Sequence, residues 1–354
     1  MSVTDRITMS HGAGGAIMNE LIREFILKHM GNTASGAEVG LEALDDAAVI
    51  DDIVLKSDSH AVRPIFFPGG DIGRLSISGT VNDISCLGAE PIALACGFVL
   101  EEGLALTDFE RILTSMRKAC DEAGAYVITG DTKVVEKGSL GGCVINVSGI
   151  GRRTEALEHN IAAVRQFRPS FKGRWLLDSN VKADEKIILS GTIGDHGLAV
   201  LSAQEGLSFG SSIVSDVKPL NKLVQQLLQV GGIVALKDPT RGGLANALNE
   251  WSEKSHVGIL VHEDKVPVRQ DVKAACEMLG IDPLEVGNEG KLIIGVVKEK
   301  ADEVLAKLKS TKEGKEAQII GKATKQFNQV AMQTSVGGKR IISTPIGDPI
   351  PRIC

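Results

Sequence analysis

The sequence predicts a mixed α/β (α+β) protein of two domains. Three observations predict it. Apolar runs of strand length alternate with stretches of helical periodicity in both halves of the chain. At 354 residues the chain is long enough for two ordinary domains with sizeable cores. Hydrophobic residues make up 43% and charged residues 24%, the balance of a globular protein.

The elements follow in order. Glycines in "HGAGG" lead into "AIMNELIREFILKHM", where Ile17, Leu21, Ile22 and Phe25 recur at helical spacing. "AAVI" and "IVLKS" read as strands. A Pro/Gly corner, "FFPGGDIG", opens a helical stretch towards Cys86. "PIALACGFVL" reads as an apolar strand. A helix follows from Thr107, with Thr107 and Glu110 as a capping box and Phe109, Ile112, Leu113, Met116 and Cys120 as its apolar face. "AYVIT" and "CVINVSGI" read as strands joined by the connector "GDTKVVEKGSLGG". From 151 to about 183 the chain is irregular and polar, which marks a domain boundary. "KIILS" starts a second unit, with helices near 195–204, 217–230 and 243–253, strands "VGILV" and "KLIIGVV", and the helix "ADEVLAKLK". A last hairpin follows Ile320. The expected units are 1–155, 156–344 and a mobile tail, 345–354.

Net charge is −6 with no basic block, so nucleic acid and anionic membranes are not expected partners. No segment approaches the roughly 18 apolar residues of a membrane helix. The N-terminus has no apolar signal region, and a cytoplasmic location is expected. None of the six cysteines forms a C-x-x-C pair. Cys86, Cys96, Cys120, Cys143 and Cys276 lie in apolar or periodic stretches and read as buried small hydrophobes. Cys354, the last residue, has no such explanation.

Acidic residues recur at candidate site positions: Asp45 and Asp46 in "LDDAAV", Asp58 in "KSDSH", Asp83 in "TVNDIS" and Asp131 in "TGDTK". If they converge, they make an all-oxygen site for a hard cation such as magnesium. Each one alone is more often a solvated turn or helix cap, and only their joint presence is suggestive. "HGAGG" before a helix could present amides to a phosphate, or be a flexible turn. "DPTRGGLANALNE" is a second loop-to-helix entry, an N-cap or another anion site. The P-loop pattern is missing, as are G-x-S-x-G and H-E-x-x-H. Of the histidines, only His11 and His60 are flanked by candidate site residues, and pattern alone gives neither a catalytic role.

"ALDDAAV", "SGTVNDISCLGAEPIAL", "TGDTKVV" and "DPTRGGL" resemble the superfamily of aminoimidazole ribonucleotide synthetase and selenophosphate synthetase, which binds ATP without a P-loop. "SHGAGG", "FFPGGDIGRL", "SGTIGDHG", "GNEGKL" and the terminal "GDPIPRIC" narrow the resemblance to the HypE hydrogenase maturation factors, over nearly the whole chain. The resemblance implies an aminoimidazole ribonucleotide synthetase-like fold, whose first domain binds ATP and gives strands to a barrel shared in a homodimer. It implies an ATP-dependent carbamoyl dehydratase. A partner carbamoyltransferase loads Cys354, the carboxamide becomes a thiocyanate, and cyanide passes to the iron of nickel–iron hydrogenase through assembly scaffold proteins. It implies Cys354, Glu289 and Lys133 as catalytic residues. Gly12, Gly14, Gly15, Asp46, Asp58, Asn82, Asp83 and Asp131 would bind ATP. Asp46, Asp58, Asp83 and Asp131 would hold Mg2+. A sibling synthetase acting on a diffusible substrate and a non-catalytic thiol carrier are the competing readings.

The tail makes physical sense as a tether. From Pro345 to Cys354 is nine residue steps, about 28 Å if polyproline-like at ~3.1 Å each. Pro345, Pro349 and Pro351 lower the entropy lost on docking, and Ile350 and Ile353 are candidate anchors.

Overall fold

The computed structural model describes residues 6–31, 36–207, 213–347, 349–350 and 353–354. The chain enters through α1 (Gly15–Leu21), extended by a wider π turn over Ile22–Leu27. Strands β1 (Ala48–Ile50) and β2 (Ile53–His60) precede α2 (Ile72–Cys86). Then come β3 (Glu90–Glu101), α3 (Leu106–Ala123), β4 (Tyr126–Val135) and β5 (Cys143–Arg152). These strands form one sheet in the order β1-β2-β5-β3-β4. All its pairs are antiparallel except β3 with β4, which α3 connects as a crossover.

Alternation decides which side chains face inward. On β2, Val54, Lys56, Asp58 and His60 share the covered face, while Leu55, Ser57 and Ser59 point outward. Helix α2 packs on that face and is buried at every position but Arg74. It is buried on both sides because it also touches the second unit.

The second unit begins with α4 (Glu155–Phe167). Its strands are β6 (Lys186–Leu189), β7 (Ile233–Lys237), β8 (Gly258–His262), β9 (Ile293–Val296), β10 (Gln318–Thr324), β11 (Val330–Gln333) and β12 (Lys339–Ile341). They form a sheet in the order β12-β11-β8-β10-β6-β9-β7. Helices α5 (Asp195–Glu205), α6 (Asn221–Leu228), α7 (Gly243–Ser255), α8 (Gln270–Leu279) and α9 (Ala301–Lys309) accompany it. None of the described helices is long and apolar enough to cross a membrane.

Three local expectations are corrected. The capping box is not formed: α3 starts one residue earlier, at Leu106, because the amides of Asp108 and Phe109 both donate to Ala105 O. The "GDTKVV" part of the connector is strand, since parallel pairing with β3 runs on from Cys96↔Gly130 to Glu101↔Val135. The stretch read as irregular holds α4, capped by Thr154 Oγ1 on the amide of Leu157 (3.1 Å), with Leu157, Ile161 and Val164 buried. The five internal cysteines are buried as expected.

Candidate active site

A cavity of about 390 Å³ lies where α1, β2, α2, the "DPTRGG" loop, α7, the "GNEG" loop and the chain terminus meet. Its first wall is the inward face of β2. Lys56 Nζ pairs with Asp83 Oδ2 of α2 at 2.6 Å. His60 Nε2 lies 3.3 Å from Asp58 Oδ2. Helix and strand meet this closely because residue 79 is glycine: a Cβ there would stand 2.8 Å from His60 Nε2 and 3.3 Å from Asp58 Oδ2. Burial works against the Lys56 charge, but Asp83 and Asp58 outweigh it and push its pKa up. Burial, aided by the nearby charges of Arg241 and Lys56 and opposed only in part by Asp58, holds His60 below its ordinary pKa.

The second wall is a buried ionic network. Lys237, at the end of β7, reaches Asp46 Oδ1 (2.8 Å), Asp178 Oδ2 (3.0 Å) and Glu250 Oε2 (3.0 Å). Lys254 of α7 also pairs with Asp178 Oδ2 (2.7 Å), and Trp251 Nε1 donates to Asp178 Oδ1 (2.7 Å). Asp46 is thereby fixed on an element of the first unit by a lysine of the second.

Between the walls the carboxylates outnumber their cations. Burial, then Asp83, Asp46 and Glu289, push the Asp238 pKa well up. Asp238 Oδ2 is buried without a hydrogen-bond partner. Burial also lifts Asp83 to about 7, with Asp58 and Asp46 adding to it and Lys56 opposing. Asp46, Asp238 and the Cys86 thiol offer ligand atoms within 4.8 Å of one another. An orphaned buried oxygen among crowded carboxylates fits a hard divalent cation.

The third wall carries the chain terminus. Ala16 N donates to Pro345 O (3.0 Å). Gly15 has φ +71°, and a Cβ there would stand 2.1 Å from that oxygen. Ile350 and Ile353 are buried at 0% and 1% exposure, so the tail is seated, and Cys354 lines the cavity. Glu289, 2% exposed, faces the same space. Its backbone amide donates to Asp216 Oδ1 (3.1 Å) and its carbonyl accepts from Lys218 N (3.3 Å). Burial, then Asp58, Asp216 and Asp83, push the Glu289 pKa well above the carboxylate range, with Arg241 opposing. The charge at Cys354 pushes the Arg241 pKa up against the cost of burial.

An acidic cavity with a cysteine terminus seated in it can be set beside known proteins. The AIR synthase related protein family matches in both halves, its N-terminal domain over residues 44–153 and its C-terminal domain over 182–332. The carbamoyl dehydratase HypE of Rhizobium leguminosarum bv. viciae is 42% identical, over 99% of this chain and 95% of its own length. The chain belongs to the HypE carbamoyl dehydratase family. A solved HypE–HypF complex matches at a TM-score of 0.82 and 42% identity, covering 92% of this chain and 99% of that one. HypE solved with ATP matches at a TM-score of 0.78 and 40% identity, covering 99% of this chain and all of that one.

Against what the HypE resemblance implies, Gly14, Gly15, Asp46, Asp58, Asp83, Glu289 and Cys354 all line the cavity. Gly12 stands beside it, its carbonyl accepting from Arg241 Nη1 (3.3 Å). Asn82 does not line it. It is buried as a brace, donating to Lys218 O (3.2 Å) and accepting from Leu220 N (2.8 Å). Asp131 and Lys133 are not brought there within one chain: both lie on β4, an exposed edge strand. Sequence reasoning missed Lys56, Lys237, Asp238, Asp178 and Lys254. Lys56 and His60 stand two residues either side of Asp58, a period-2 signal for one strand face. Lys237 and Asp238 close the apolar run "IVAL", a charge pair at a strand end. Asp178 gave no signal.

Proposed function

We propose that this chain is an ATP-dependent carbamoyl dehydratase whose substrate is its own C-terminal cysteine. The observation that carries this is Cys354 in the acidic cavity, beside Glu289 and Arg241. The carboxamide on the sulfur of Cys354 attacks the γ-phosphorus of ATP through its carbonyl oxygen, and ADP leaves. The nitrogen gives up one proton, leaving an O-phosphorylated imidate. The C–O bond then breaks with its electron pair on phosphate, the second nitrogen proton departs, and S–C≡N remains. Oxide could not leave at neutral pH; phosphate can.

Glu289 is the proposed proton acceptor, because it faces the same cavity as Cys354 and burial, by raising its pKa, makes its carboxylate a stronger base. Arg241 is placed to steady the negative charge of the imidate oxygen. Asp46, Asp58, Asp83 and Asp238 would hold Mg2+, which neutralises phosphate charge when bound. Gly12, whose missing Cβ faces open space, leaves the backbone open to the nucleotide, while Gly14 and Gly15 line the nucleotide site where Arg241 and Pro345 pack against them. Asp131 and Lys133 enter this reading through a homodimer, in which the exposed edge of β4 pairs with a second copy near its ATP. The carboxamide would come from a carbamoyltransferase, and a relative's complex with HypF supports a loading partner. The cyanide would pass through scaffold proteins to hydrogenase iron, in the cytoplasm.

Intact mass of the C-terminal peptide tests the reading. With ATP and the loading partner, Cys354 should gain a carbamoyl group and then lose the mass of water. A diffusible-substrate synthetase leaves the tail unmodified. A non-catalytic carrier keeps the carbamoyl adduct unchanged with ATP present.

A further inference from the structure

The "SGTIGDHG" motif does not line the cavity, yet it holds a buried histidine that the chemistry above leaves unused. His196, the second residue of α5, is 0% exposed. Its Nε2 lies 2.8 Å from Ile353 O and its Nδ1 2.8 Å from Ser215 Oγ. A carbonyl only accepts, so Nε2 carries the proton and donates to the tail. Nδ1 must then accept from the Ser215 hydroxyl, whose oxygen in turn accepts from Val217 N (3.1 Å). Burial pushes the His196 pKa down, against Asp216 and the bond to Ile353, which keeps the ring neutral and this chain of bonds in one direction. The ring cannot turn away, because Phe67 packs edge-on against it with centroids 5.4 Å apart.

Two glycines flank the clasp. A Cβ on Gly197 would stand 3.2 Å from Ile350 Cδ1, and one on Gly287 would stand 2.5 Å from Ile353 Cδ1. The amide of Gly197 donates to Gly287 O (3.1 Å), which joins the two motifs into one wall. Each isoleucine of the tail is thus received where a side chain is missing, and the carbonyl next to the cysteine is gripped by a donor of fixed direction.

We propose that His196, oriented by Ser215, is a positioning residue that clasps the Ile353 carbonyl and so fixes Cys354 within the cavity for dehydration. This rests on the reading that Cys354 carries the reacting group. Without the donor, Ile353 O is buried unsatisfied, and the tail leaves its seat to be solvated.

The test compares His196→Leu with His196→Gln, whose amide nitrogen can replace Nε2 as donor. The first readout is the rate at which iodoacetamide alkylates Cys354 in the full chain, without ATP or partner. The second is single-turnover loss of water from carbamoylated protein. His196→Leu should bind ATP normally, raise alkylation and slow dehydration, each by about tenfold. His196→Gln should stay near wild type in both. Alkylation by His196→Leu at the wild-type rate, or equal effects of Leu and Gln, overturns the clasp. If His196→Leu fails to bind ATP, as a misfolded chain would, Ile353→Ala decides, since the penultimate residue cannot unfold the body. Faster alkylation of that variant supports the seat, and an unchanged rate overturns it. Alkylation needs no catalysis, so a wild type that makes no thiocyanate would refute the dehydratase reading and leave the clasp to be judged separately.

Discussion

Asp83 ties the chemistry of one residue to the pH behaviour of the cavity. Burial and neighbouring carboxylates hold its pKa at about 7, against 3.8 for an ordinary aspartate. Its protonated form therefore stabilises the metal-free fold fully below the ordinary value, and that contribution is lost as pH rises through about 7. A divalent cation must displace that proton. We expect the melting-temperature gain from Mg2+ with ATP to grow between about pH 6 and pH 8, and Asp83→Asn to flatten the trend. Equal gains at both ends in the wild type would remove Asp83 from the cation site. Glu289 separates binding from chemistry. Glu289→Gln should bind ATP and accept the carbamoyl group but slow thiocyanate formation by roughly 10²–10⁴-fold, as followed by intact mass. The aspartates and Glu289 were legible because short motifs carry them. Asp178 was not: a single acid with no flanking motif reveals its role only once Lys237, Lys254 and Trp251 surround it.

At the scale of elements, β4 is the exposed feature. Among the described residues it pairs only with β3, and Val127, Ile128 and Val134 are exposed at 39%, 74% and 65%. Monomers blunt such edges with charge, proline or a covering segment, and β4 leaves three apolar side chains open. If β4 is the edge of the homodimer proposed above, Ile128→Lys is expected to shift the protein towards monomer in light scattering and to lower ATP turnover with it. A variant that stays dimeric would show that β4 is not the joining edge. The same strand shows where sequence reading fell short. Turn-like "GDTK" hid a strand because parallel pairing with β3 overrides local preference. Helix α4 hid behind its charged outer face, although Leu157, Ile161 and Val164 keep helical spacing. Strands β2, β3 and β5 were legible as apolar runs of strand length.

Across the whole molecule, the two units are joined through charge at the point where the site forms. Lys237 satisfies Asp46 from one unit and Asp178 and Glu250 from the other. Lys237→Met would leave Asp46 and Glu250 without that cation and Asp178 with Lys254 alone, in a largely buried space. A loss of about 3–5 kcal/mol is expected, because breaking a buried pair strands its partner charges. Urea denaturation measures it, and a change below about 1 kcal/mol, the scale of a surface pair, would contradict it. Two domains and a mixed class could be foreseen from chain length and alternating patterns. This bridge could not, since Asp46 and Lys237 are 191 positions apart and no local pattern links them.

The seated terminus also fixes the kinetic order. On the proposed reading the reacting group is part of the chain that transforms it, so no second molecule has to be captured before the cavity works. A group held this way behaves as if present at a very high local concentration, on the order of millimolar or above for a short tether. Dehydration of the loaded chain should be first order, with one rate constant unchanged on dilution. Free carbamoyl compounds should compete poorly with the attached group, however much is added. Each chain would yield one cyanide per loading, so the supply of cyanide is counted in visits of the tail to its donor and acceptor.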